Sequence, residues 1–264
     1  MNKVLLFAFA LVTAFLILGC EDNEPQNGSV EFDFLHQVED EPVAYNDLRY
    51  TNAAGNHYEI TEIQWFISDV AFITRSGAEI PLRADGFSHY IDTNIPETAS
   101  WKPTDRLPAG TYTQIKFTFG IKGEKNTPGL FPDLPESNMV WPHTMGGDKG
   151  GYHYMKLNGF WINNSDQRMP FNFHLGVGQI YNSKGEVVEF VQNWFEVTLP
   201  LQLEVHPDKV SKLELAMNVE SWFDSPVIYD HNQFGSMIMT NQEAMGIIAQ
   251  NGKDVFDVKV IDNF

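Results

Sequence analysis

The sequence predicts an all-β fold, an antiparallel β-sandwich with one short C-terminal helix, on three observations. Apolar and polar residues alternate with period two in several runs, turn residues separate those runs, and only one segment has helical character. The clearest alternations are Val30-Glu31-Phe32-Asp33-Phe34 and Thr113-Gln114-Ile115-Lys116-Phe117-Thr118-Phe119, each a strand with one buried face. Further strands are expected at Trp65 to Thr74, Phe171 to Leu175, Trp194 to Val205, Lys212 to Val219 and Val255 to Ile261. Ser76-Gly77, Pro108-Ala109-Gly110 and Ser183-Lys184-Gly185 supply turns. The helix is expected from Gln242 to Gln250, ended by Asn251-Gly252 as a C-cap. Aromatic residues make up 13% of the chain, enough to fill the space between two sheets.

The first residues set the compartment. Lys3 is the only charge before Cys20, and an apolar run from Val4 to Leu18 is bounded by Gly19. That pattern reads as a secretory signal over residues 1–19, too short for a comfortable membrane span of about 20 residues. Ile17-Leu18-Gly19-Cys20 resembles the bacterial lipobox, which implies lipidation of Cys20 and attachment to a membrane through acyl chains alone. Residues 20–29 then form an acidic, flexible tether, and residues 30–264 a single sandwich domain of the cell envelope, on an outer membrane facing either the periplasm or the surface. Glu21-Asp22-Asn23-Glu24 is similar to the acidic export signal of some surface lipoproteins.

Composition removes several function classes. The formal charge of −18 repels a phosphate backbone, so no nucleic-acid partner is expected. Cys20 is the sole cysteine, so the mature domain has no thiol with which to build a disulfide, an iron–sulfur cluster, a thiolate zinc site or a blue-copper centre. Nucleophile elbows, zinc-protease motifs and phosphate loops are missing as well, and the chain is read as a binding protein rather than an enzyme.

Chemistry is concentrated between Asn138 and Leu157, where Trp141, His143 and His153 stand among three Met and four Gly. Pro142 favours an extended Trp141, so Trp141 and His143 are expected on one side. Gly146, Gly147, Gly150 and Gly151 are expected to form a flexible turn. Tyr152 to Leu157 reads as a strand with His153, Met155 and Leu157 on one face. In Phe171-Asn172-Phe173-His174-Leu175 the apolar residues face the core and place Asn172 and His174 opposite. Imidazoles from His143, His153 and His174, with the Met155 thioether, are a ligand set suited to copper. Set against this is the ordinary reading of a strand histidine as a hydrogen-bonding or solvated residue.

Several segments taken together resemble the MbnP-like copper-binding proteins. They are Trp65-Phe66-Ile67-Ser68-Asp69-Val70, Pro108-Ala109-Gly110-Thr111-Tyr112, Phe117-Thr118-Phe119-Gly120-Ile121, Asn138-Met139-Val140-Trp141-Pro142, Gly150-Gly151-Tyr152-His153-Tyr154-Met155-Lys156-Leu157 and Phe173-His174-Leu175-Gly176. The resemblance spans roughly residues 30 to 220 and implies a sandwich that binds copper. It implies further that a tryptophan of a Trp-x-Trp pattern is oxidised to kynurenine by a partner dihaem enzyme of the cytochrome c peroxidase type. Trp141 matches the first Trp of that pattern, whereas His143 stands in place of the second. On this basis copper is captured by His153 and His174, completed by His143, Met155 or water, with Asn172 or Tyr152 setting the ring tautomers. Affinity is expected to fall below about pH 6.5, the ordinary imidazole pKa.

Three other readings compete. Trp101, Trp141 and Trp161 would suit a surface carbohydrate- or protein-binding sandwich without metal. Asp230 to Asn241 begins like a calcium loop but lacks an oxygen ligand at its fifth position and Glu at its twelfth. His231, Met237 and Met239, with Met245 nearby, are a secondary soft-ligand cluster, with adaptable core filling as the plainer explanation.

Overall fold

Alternation brings apolar side chains of two sheets together. In the computed structural model, which describes residues 26–263, strand Asn27–Val38 buries Val30, Phe32 and Phe34 on one face. That face meets the long strand His57–Thr74: Phe34 packs edge-on against Trp65 at 5.8 Å, and Phe32 against Phe72 at 6.2 Å. One sheet of six strands is built around Asn27–Val38, Val210–Asn218 and Phe256–Asn263; the facing sheet of eight runs in the order Arg168–Leu175, Met155–Ile162, His57–Thr74, Gly110–Phe119, Phe195–Val205. The all-β sandwich is as expected. One ladder differs, because Asn27–Val38 and Val210–Asn218 run parallel. The signal segment 1–19 and Cys20 lie outside the described residues. Strand pairing already begins at Asn27 and Gly28, opposite Pro108 and Leu107, within the stretch expected as tether.

The register along His57–Thr74 orders the molecule from end to end. Thr74 pairs with Tyr112, two residues from Gly110, which pairs with Val205 at the end where Asn27 enters. Further along, Gln64 pairs with Lys156, and Lys156 with His174. Ten residues of strand separate Thr74 from Gln64, roughly 30 Å at the usual rise. Asp69 interrupts this strand with φ of +51° at a bulge between Ser68 and Ala71.

The C-terminal helix spans Gln242–Asn251, with Asn241 accepting a bond from the Ala244 amide at its start. Its end departs from the expected cap. Gly252 has φ of −58° and leads into a 3₁₀ turn, Gly252–Asp254. A Cβ there would lie 2.3 Å from Phe195 and 2.5 Å from Trp222, so the glycine serves close packing, not a left-handed turn.

Candidate metal centre

The Gly-rich segment is more ordered than its composition suggests. After Pro142 the chain makes a helical turn, His143–Gly146, then a 3₁₀ turn, Gly147–Lys149. The turn carries His143 away from Trp141. The His143 side chain is 80% exposed, its Nε2 3.7 Å from Asp148, while Trp141 is buried. The glycines form a slot for the indole: a Cβ at Gly146, Gly150 or Gly176 would come within 2.6, 2.8 or 2.3 Å of the Trp141 ring. Steric room for Trp141, rather than flexibility, is what these positions require.

The strand expected from Tyr152 begins instead at Met155. Tyr152 makes only an isolated bridge to Val140, and the His153 amide donates to the Met139 carbonyl at 2.6 Å, so the chain has not yet joined the sheet. The alternation expected to place His153 beside Met155 is therefore broken. Met155 pairs with Leu175 and Trp65 and is fully buried in the core, whereas His174, adjacent to Leu175, points to the other face with its partner Lys156. Met155 is thus removed from the expected ligand set, as is His143.

What the fold does bring together is His153 and His174. Their ring centroids are 5.1 Å apart with planes at 87°. Trp141 lies against His153 at 4.6 Å. Each imidazole has one nitrogen held and the other free. His153 Nδ1 is 2.9 Å from the Met139 carbonyl oxygen, which only accepts, so Nδ1 carries the proton and the lone pair is on Nε2. Asn158 fixes the other ring. Its Nδ2 donates to the Glu62 carboxylate at 2.8 Å, which turns its Oδ1 toward His174 Nε2, also at 2.8 Å. His174 Nε2 must then be the donor and Nδ1 the bare nitrogen. His153 Nε2 and His174 Nδ1 are both buried without a hydrogen-bond partner, as is Trp141 Nε1.

Two unpaired buried lone pairs on neighbouring rings are costly unless something occupies them. They suit a soft or borderline cation that imidazole binds well. Burial also keeps both rings neutral: His174 is pushed down to about 4 and His153 well below its ordinary value, with the Lys156 ammonium adding to both shifts. Lys156 donates to the Asn138 carbonyl at 2.6 Å, beside the Met139 carbonyl that holds His153. Among the described residues no group of three or more His, Cys, Asp or Glu converges on one point, so the constellation is a pair. Sequence reasoning missed Asn158, Glu62, Met139 and Lys156. Of the expected partners, the Tyr152 hydroxyl bonds the Phe131 backbone, and Asn172 is tied through its backbone N–H, which donates to the Ser236 carbonyl.

The secondary candidates differ in their surroundings. His231 is fully buried among five rings, those of Tyr58, Trp161, Phe171, Phe223 and Tyr229, and neither of its nitrogens has a partner. Met237 is 64% exposed and Met239 only partly buried, so neither shares the enclosed setting of His231. Asp230 accepts from the Asn232 amide and from Asn56 as the cap of the turn His231–Phe234, which explains its sequence without calcium. Trp161 and Trp141 are buried, and Trp101 stacks on Phe32 and His89, which leaves the three tryptophans as packing rather than an open sugar platform.

Comparison with known proteins agrees with this architecture. The family model described as MbnP matches residues 27–241. The structure is similar to that of MbnP from Methylosinus trichosporium, with a TM-score of 0.54 at 12% identity over 89% of this chain and 99% of that one. A search of curated proteins found no match.

Proposed function

The chain belongs to the MbnP family, and from that premise we propose that it captures copper between His153 Nε2 and His174 Nδ1 and holds it without turnover. The observation that supports this reading most is the pair of buried nitrogens with no other partner. Capture needs neutral imidazoles, and burial supplies them. It also needs rings fixed in one orientation, which the Met139 carbonyl and the Asn158–Glu62 relay provide.

The wider reading places the domain in the cell envelope, tethered by lipid on Cys20. The contact of Trp141 with His153 makes that indole the residue on which oxidation by a dihaem partner enzyme would alter the pocket. Such chemistry would be done to this protein, not by it.

Metal analysis of the protein purified from its host, with His153→Ala and His174→Ala variants alongside, tests the reading. Stoichiometric copper in the parent and its loss in either folded variant is expected. Unchanged copper content in His174→Ala, with an unaltered circular dichroism spectrum, would reject the assignment.

A further inference from the structure

Charge around the two imidazoles is unusual for a cation site, because the residue in register with His174 is itself a cation. Lys156 faces His174 directly across the sheet, and such pairs have Cβ atoms about 4.5–5.5 Å apart. Its ammonium is anchored on the Asn138 carbonyl at 2.6 Å, one residue from the carbonyl that holds His153. The neighbouring carboxylates are occupied by neutral donors. Glu62 accepts from Asn158 and Asn94, and Asp92 from Gln64, Tyr90 and the Asn94 amide. Both carboxylates keep their charge and act on Lys156, whereas Lys156 is the charged residue in register with His174.

We propose that Lys156 is a specificity-determining residue that selects the ion by valence, admitting a monovalent soft cation such as Cu(I) between His153 and His174 and rejecting divalent cations. The proposal rests on the copper reading of the histidine pair. Two neutral ligands leave the whole charge of the ion uncompensated, so its repulsion from the ammonium doubles from a monovalent to a divalent ion. Imidazole alone does not discriminate in this way, since it suits zinc, nickel and both copper states. With no carboxylate on the ion to offset the lysine, valence becomes the quantity the pocket measures. The four-carbon stem of Lys156 also fixes the distance of the charge, because the Asn138 bond holds its tip.

Binding of Cu(I), under reductant and against a chromophoric chelator, and of Zn(II) and Co(II), by calorimetry, is to be compared in the full chain and in Lys156→Met, Lys156→Gln and Lys156→Arg. Removing the charge should tighten divalent ions relative to Cu(I) by about 10- to 100-fold. Lys156→Arg, which keeps the charge, should retain the parent ratio. An unchanged ratio in both folded neutral variants, while Cu(I) binding still requires His153 and His174, overturns the valence role and leaves the copper reading intact. Cu(I) binding that is indifferent to His153→Ala and His174→Ala overturns both.

Discussion

Glu62 determines which nitrogen of His174 is free, although no hydrogen bond joins the two residues. The carboxylate takes the amide hydrogens of Asn158, which obliges the amide oxygen to face His174 Nε2. Asn158→Leu removes the acceptor and frees the ring to turn or change tautomer. Copper affinity should fall about 10- to 100-fold with the stoichiometry kept, as read by chelator competition. Asn158→Asp, which still accepts from Nε2, should lose much less.

Copper retention should extend to lower pH than free imidazoles allow. A ligand loses its metal to protons only as pH approaches its own apo pKa, which for His174 is about 4 and for His153 lies well below the ordinary value. Affinity should therefore be nearly flat from pH 7.5 to 5. The expectation of a decline from about pH 6.5, taken from free imidazole, does not suit a buried pair. Competition titrations at pH 7.5, 6 and 5 decide between them.

Fold stability should be acid-sensitive even without metal. Burial lowers His36 to about 4 and His231 to about 3, so each stays neutral in the fold while the unfolded chain takes up a proton below about pH 6.5. The unfolded state then binds more protons, and stability present above pH 6.5 is lost as pH falls toward 4. Each such histidine contributes a slope of up to about 1.4 kcal/mol per pH unit. Urea midpoints at pH 7.5, 5.5 and 4.5 measure the sum.

His231→Phe should raise stability by about 1 kcal/mol or more at neutral pH, since a phenyl ring leaves no unsatisfied nitrogens among the five surrounding rings. The same variant should reduce the acid slope. A loss of stability would mean that the imidazole has a partner of its own, such as an internal water shared with the unpaired Tyr229 hydroxyl.

Gly176→Ala should disturb the site without touching a ligand. The added methyl would lie 2.3 Å from Trp141 Cζ3, and the indole, closed in by Gly146 and Gly150, has nowhere to retreat. A destabilisation of about 1–3 kcal/mol and a shift in tryptophan emission are expected.

The sandwich was legible because period-two alternation is a local signal, and strands such as Gly110–Phe119 and Phe195–Val205 lie within a residue or three of where that signal puts them. His174 was legible for the same reason: flanking Phe173 and Leu175 fix its face. His153 meets His174 by a geometry other than the expected one, since its position depends on a carbonyl fourteen residues earlier rather than on strand periodicity. Asn158, Glu62 and Lys156 were hidden because their roles arise from register across three strands, which no local pattern encodes. Met155 and His143 were misassigned through a strand that starts three residues late and a turn that Pro142 begins in helical form.

The end-to-end register has a consequence for traffic. Strand pairing begins at Asn27, and the histidine pair stands near the midpoint of the long strand, roughly 30 Å of sheet away. If the proposed lipid anchor precedes the entry end, the sandwich would act as a mast, lifting the proposed copper site clear of the bilayer and its headgroup layer. Cargo and any modifying enzyme would then meet the pocket from open aqueous space, and a lipid-embedded transporter would have to reach upward or wait for release.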